Sequence, residues 1–232
     1  MSGDPLIAAV GDVHGDLDAL DRAIAGARAY ADGRPLRFVF LGDYVDRGPD
    51  SAGVVRRLME RTSEGDIALK GNHEDMLIAA LSDKNEDVRF WIDNGGYPTL
   101  VSYGIDPIDA RLIPKDHLDW MRRLPLCWDD GLRFYCHAGV DPTLPLSEQR
   151  EKDLLWRREL VSPHVDLPRL IVHGHTSIDR YPVIWPNSVN LDTGCGMGGL
   201  LSAAVFDRAN EKPIALVVDG EVTERDPSGI QR

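Results

Sequence analysis

The first third of the chain alternates between two hydrophobic periods. Residues 6–10 (LIAAV) form an unbroken apolar run that stops at Gly11-Asp12, which predicts a short strand buried on both faces. Residues 15–31 then carry Leu17, Leu20, Ile24 and Ala27 at helical spacing. Residues 37–41 repeat the strand pattern and again end in Gly-Asp. Asp50 or Ser51 is suited to cap a second helix bearing Val54, Val55, Leu58 and Met59. Residues 67–69 predict a third strand, ending at Lys70-Gly71, and a helix follows through Glu74, Leu77 and Leu81.

Over about 84–124 the pattern loosens into a helical and irregular insert containing Trp91, Gly95-Gly96, Tyr103-Gly104 and Trp120. Beyond it, short apolar runs at 132–136, 170–172, 189–191, 201–206 and 214–218 predict strands with few helices between them. With no linker and no internal repeat, the pattern predicts one α/β (α+β) domain over residues 1–232. The polar residues 225–232 are expected to fray.

Composition narrows the class. Apolar residues make up 43% of the 232 and charged residues 28%, enough to build a core without disulfides or a structural metal. No apolar run approaches the roughly 20 residues of a membrane span. The opening MSGDPLIAAVGD has no basic stretch and meets acid at once, which argues against a secretory signal. The cysteines, Cys127, Cys136 and Cys195, form no CxxC pair and suit a reducing cytoplasm. A net charge of −12 disfavours sequence-independent binding to nucleic acid. Oligomeric state is not legible here; a monomer is the simpler expectation.

The chemistry gathers where the strands end. GDVHG (11–15), GDYVDRG (42–48), GNHE (71–74), HAG (137–139) and HGHT (173–176) each follow a predicted strand. Ligands bind beyond the carboxyl ends of strands in open α/β sheets, so these segments are expected to converge. Asp12, His14, Asp43, Asn72, His137 and His175 offer two carboxylates, three imidazoles and an amide oxygen. That is too many donors for one tetrahedral ion and suits two divalent ions sharing a carboxylate. Manganese is the first expectation, with iron or zinc as alternatives. Two ions ~3.5–4 Å apart can hold an attacking hydroxide and the phosphoryl oxygens for in-line displacement. Arg47 offers a fork that matches phosphate, and Arg158 is a second candidate clamp beside Arg157. His73 is placed to protonate a leaving oxygen, with Asp46 to orient its imidazole.

GDVHG, GDYVDRG, GNHE, HAGV and GHT, in that order, resemble the calcineurin-like metallophosphoesterases. More narrowly, they are similar to the serine/threonine phosphoprotein phosphatases in their bacterial and phage (lambda phosphatase-like) branch. The resemblance implies a four-layer fold, two packed mixed β-sheets flanked by helices. It implies that Asp12, His14 and Asp43 hold one metal, and that Asp43, Asn72, His137 and His175 hold the other. It implies His73 as general acid with Asp46, and a phosphate held by Arg47, Arg158 and Asn72. The leading expectation is a phosphatase acting on phosphoserine or phosphothreonine in proteins. The alternative is a diadenosine tetraphosphate hydrolase, because WIDNGGYPTL (91–100) resembles the corresponding region of those enzymes.

Other residues have plainer readings. Glu74 reads as a first-turn helix charge, His117 and His164 as exposed, and Arg157 as a surface partner of Glu159. Trp91, Tyr97 and Tyr103 read as core or wall. His173, two residues before His175, is expected on the same strand face. Cys136 then points into the core as an inert thiol.

Overall fold

The computed structural model describes residues 5–82, 84–106, 108–159 and 162–224. The expectations for the extreme termini, an N-terminus without a signal and a frayed 225–232, fall largely outside the described residues. The strands are β1 (Leu6–Val10), β2 (Leu36–Phe40), β3 (Ile67–Ala68), β4 (Cys127–Asp129), β5 (Arg133–Cys136) and β6 (Leu170–His173). They continue with β7 (Val183–Ile184), β8 (Ser188–Asn190), β9 (Ser202–Phe206), β10 (Ala215–Val218) and β11 (Glu221–Glu224).

Two helices make the first crossovers, α1 (Leu17–Ala31) and α2 (Ser51–Ser63). Asp16 and Asp50 start them, each accepting a backbone N–H of the first turn, from Ala19 at 2.8 Å and Gly53 at 2.7 Å. Returning the chain this way lets β1, β2 and β3 pair in parallel. β9 then runs antiparallel to β1, and the six-stranded sheet has the order β11-β10-β9-β1-β2-β3. A second, five-stranded sheet has the order β4-β5-β6-β8-β7.

The sheets pack face to face. Ala9, Val39, Leu41 and Leu69 from the first meet Tyr135, Val172 and Val189 from the second. The other face of the first sheet, with Ala8, Val10 and Phe40, buries against Leu20, Ile24, Val54 and Leu58 of the helices. On the far side of the second sheet, Phe134, Cys136 and Ile171 pack against Leu154 of α7 (Glu151–Trp156). These are the expected four layers, helix, sheet, sheet, helix. They explain why 6–10 and 38–41 read as continuous apolar runs, since both faces of those stretches are covered.

The third helix, α3 (Asn72–Ala79), follows β3 directly. The insert forms α4 (Asn85–Trp91), one wide turn over 92–96 with Gly95 at φ 104°, α5 (Tyr97–Ser102) and α6 (Lys115–Arg123). Trp91 anchors it, with no exposed surface. His117 departs from expectation: it is 8% exposed, its Nδ1 2.8 Å from the Tyr103 hydroxyl. It sits on the inner face of α6 beside Leu118 and Met121, where the neighbouring Lys115 and Asp116 hide its orientation from a linear reading. β4, β7 and β11 escape the pattern because they are short sheet-edge segments, ordered by their pairing. Among the described residues, no helix is long and apolar enough to cross a membrane.

Candidate active site

All five strand-end segments meet at one end of the two sheets. Asp12 and His14 follow β1, Asp43 follows β2, Asn72 and His73 open α3, His137 follows β5 and His175 follows β6. Each is at most 9% exposed. Asp43 lies at the centre. Its Oδ2 is 3.6 Å from His14 Nε2 and 3.9 Å from His73 Nε2, and its Oδ1 is 3.4 Å from His137 Nε2. Two donor groups form around it, one with His14 and His73, the other with His137 and His175. Asn72 Oδ1 is 2.8 Å from His137 Nε2 and 2.9 Å from His175 Nδ1. Asp12 lies beside the cluster, outside both donor groups, and accepts the His175 backbone N–H.

The backbone reaches this arrangement under strain. His14, Asp43, Asp46, Arg47 and His175 all take positive φ, between 46° and 74°, a conformation side-chain-bearing residues adopt at a cost. Two glycines permit the approach. A Cβ on Gly71 would stand 2.2 Å from the Asp43 nitrogen, and one on Gly174 would stand 2.0 Å from Asp12 Oδ1. The missing side chains make room for the neighbouring acid-bearing loops.

The donor set fits divalent cations. His14 Nδ1 lies 3.1 Å from the Val45 carbonyl and His137 Nδ1 lies 3.0 Å from the Leu41 carbonyl. This contact fixes the ring and leaves Nε2 facing the cluster, the arrangement metal-bound histidines use. Burial pushes the imidazoles of His14 and His175 down to about 3, His14 despite Asp43 and His175 with help from His137. They are therefore neutral and able to ligate. His175 Nε2 is buried without a hydrogen-bond partner. Burial, then Asp192 and Asp43, raise the Asp12 carboxyl; such crowding of carboxylates is what cations relieve.

His73 stands beside this cluster. Its Nδ1 is 2.7 Å from Asp46 Oδ2. Burial opposes its charge, but Asp43 and Asp46 outweigh burial and raise its pKa. Asp46 is itself held by the Trp91 indole N–H at 3.0 Å and the Thr99 hydroxyl at 2.7 Å. The Arg47 guanidinium reaches His14 Nε2 at 2.6 Å and His73 Nε2 at 3.0 Å. Its backbone N–H donates to the Gly95 carbonyl at 3.0 Å, so the insert braces this turn. Arg158 is exposed and near enough to His175 to depress its pKa. Arg157 turns away to Glu159 at 3.2 Å.

Two expectations change, for Glu74 and His173, and Asp192 joins the site without one. Glu74 is more than a helix charge: fully buried, it accepts the N–H groups of Asp43, Tyr44 and Gly71 at 2.9, 2.7 and 2.9 Å. His173 leaves the donor cluster and lines a small cavity with Ala138, Val140 and Ile171. Strand alternation stops at His173, because β6 ends there and His175 has φ 68°. Asp192, 5% exposed and electrostatically coupled to Asp12, was not singled out. It follows a predicted strand, the same signal that marked the other five segments. Trp91 is core as expected, Cys136 is buried and His164 is exposed.

A dense site of carboxylates and neutral imidazoles, at the carboxyl ends of strands in a two-sheet fold, defines a metal-dependent hydrolase. The sequence family agrees: the chain belongs to the calcineurin-like phosphoesterases, whose model matches residues 5–220. It is 30% identical over 203 residues to serine/threonine-protein phosphatase 1 of Salmonella typhimurium, with 84% of this chain and 89% of that one covered. It is also 30% identical to the symmetrical bis(5'-nucleosyl)-tetraphosphatase of Bordetella pertussis, over 75% of this chain, and spans 61% of that relative's length. A crystal structure of a candidate diadenosine tetraphosphatase superposes with a TM-score of 0.64 at 26% identity, covering 92% of each chain.

Proposed function

We propose that this enzyme hydrolyses phosphomonoesters on serine or threonine side chains of proteins with a pair of divalent ions. The observation that carries the dimetal reading is the position of Asp43 in both donor groups, with His73 and Asp46 alongside. His14, Asp12 and Asp43 would hold one ion; Asp43, Asn72, His137 and His175 would hold the other. When bound, such a pair neutralises phosphoryl oxygens and activates water at neutral pH.

The chain's own residues supply the rest. Arg47 exchanges its imidazole contacts for the substrate phosphate, assisted by Arg158 and by the Asn72 amide. His73 delivers a proton to the leaving oxygen. Asp46 keeps His73 Nδ1 engaged and so directs Nε2 into the site. Trp91 and Thr99 keep Asp46 in place. The protein-phosphatase reading is supported by the relative that this chain covers over 89% of its length.

A dinucleotide substrate is the second reading. The 26%-identical structure that matches 92% of each chain supports it, as does the packing of the insert against Arg47 through Gly95. A side-by-side assay of manganese-loaded enzyme separates them, with a phosphothreonine peptide read as phosphate and diadenosine tetraphosphate read as released nucleotide. Preference for the peptide supports the first reading, and preference for the dinucleotide overturns it. Asp43→Asn tests the shared site: both ions and activity are expected to be lost together. A variant that retains two ions by elemental analysis refutes the bridging role.

A further inference from the structure

At the other end of the strands, the beginnings of β1 and β2 open into a cavity of about 720 Å³ between the two sheets. Pro5, Pro35 and Arg37 line it from the first sheet, Trp128 and Arg133 from the second, and Arg208 from the loop after β9. The strand register directs Arg37 into it. Arg37 stands opposite Ile7, and Ile7 opposite Phe206, so the three side chains share one face. Ile7 and Phe206 belong to the core between the sheets. Arg37 is therefore a cation aimed into the gap between layers.

The charges around this cavity are unevenly paired. Asp130 holds Arg133 at 2.8 Å, Asp129 holds Arg169 at 3.2 Å, and Glu64 and Asp66 both engage Arg61. Arg37 and Arg208 have no hydrogen-bond or ion-pair partner among the described residues. The four carboxylates of the lining, Glu64, Asp66, Asp129 and Asp130, are thus each engaged by an arginine, and the Arg37 and Arg208 guanidiniums stand unpaired on the same cavity, open to an anion. The Trp128 indole lies 5.2 Å from the Tyr135 ring, which holds it as a half-buried wall. A volume of this size is within the range of small-molecule sites, roughly 300–1,000 Å³.

The geometry points to a binding site for a small organic phosphate carried on a planar ring, of the nucleoside monophosphate class. Arg37 and Arg208 take the phosphate in their planar forks. Trp128 takes the ring. The rim carboxylates of Glu64 and Asp129 accept hydroxyl or amino hydrogens of the ligand. A five-residue strand separates this cavity from the loops bearing Asp12 and Asp43, about 17 Å at the usual rise, so the site is distinct from the catalytic one.

The test is equilibrium dialysis of adenosine monophosphate, adenosine and inorganic phosphate against the full chain in chelator, so that the catalytic centre neither holds nor hydrolyses the ester. Wild type, Arg37→Ala/Arg208→Ala, Trp128→Leu and Arg158→Ala are compared. One saturable site for adenosine monophosphate is expected, weakened at least tenfold in the first two variants and within twofold of wild type in Arg158→Ala. Adenosine and phosphate alone are expected to bind at least tenfold more weakly. Turnover of p-nitrophenyl phosphate by the manganese-loaded proteins within twofold of wild type verifies that the cavity variants are folded. A second double variant, Arg37→Gln/Arg208→Gln, replaces the first if folding fails. No binding by wild type, binding unchanged in the cavity variants, or loss in Arg158→Ala overturns the proposal. Equal binding of adenosine and its monophosphate overturns the phosphate assignment.

Discussion

At the scale of single residues, the site depends on side chains whose surroundings oppose their ordinary behaviour. His73 is buried, yet two carboxylates hold its pKa up, which suits a proton donor. His73→Asn is expected to retain the metals and slow phosphoester hydrolysis by roughly 10²–10⁴-fold. The loss should shrink for p-nitrophenyl phosphate, whose leaving group needs little protonation. Steady-state rates on alkyl and nitrophenyl esters measure this, and equal losses would remove the proton-donor role. Glu74 acts at one remove. It accepts backbone N–H groups on both sides of Asp43 and thereby sets the carboxylate's position. Glu74→Ala is expected to weaken metal binding by roughly 10–100-fold, the range for groups that orient ligands. Titration of apo-enzyme with manganese reads this directly, and unchanged affinity would reduce Glu74 to a packing residue.

At the scale of elements, each strand or helix was legible where local chemistry had no competitor. Asp50 caps α2 as its spacing suggests, because an acid accepting the Gly53 N–H satisfies a helix end that otherwise lacks partners. Asp50→Ala is expected to cost about 1 kcal/mol, seen as a fall in Tm of roughly 2–4 °C, with kcat unchanged. Calorimetry and a rate assay on the same preparation test both parts. The insert was legible only in outline. Its helices end and restart around Gly95, and their positions follow from what they touch: Trp91 and Thr99 on Asp46, and Gly95 on Arg47. His173 and His117 were misjudged for related reasons. A strand period ends with its strand, and the solvent face of a short helix depends on the neighbour it packs against.

At the scale of the whole molecule, the site joins the two sheets. Asp12, His14 and Asp43 belong to loops of the first, and His137 and His175 to loops of the second. Ions held between them would bind only the folded chain. Chelation is therefore expected to lower Tm by roughly 10–20 °C, the consequence of losing about 2.7 kcal/mol for each of two metals at a hundred times its Kd. Readdition of manganese should restore it. Calorimetry with and without chelator checks this, and an unchanged Tm would mean that the loops hold together without metal.

The chain by itself determined the order of strands and helices in the first half, the four-layer class and the segments that converge. Unbroken apolar runs, helical period-3.6 patterns and strand-end Gly-Asp pairs are local properties, and the family resemblance rests on contiguous motifs. Only the tertiary structure decided which groups support those motifs. Glu74 beneath Asp43, Trp91 and Thr99 behind Asp46, Asp192 beside Asp12, and Arg37 facing the gap between the sheets each act across long stretches of sequence. Burial and register, which put them there, exist only once the sheets have paired and packed.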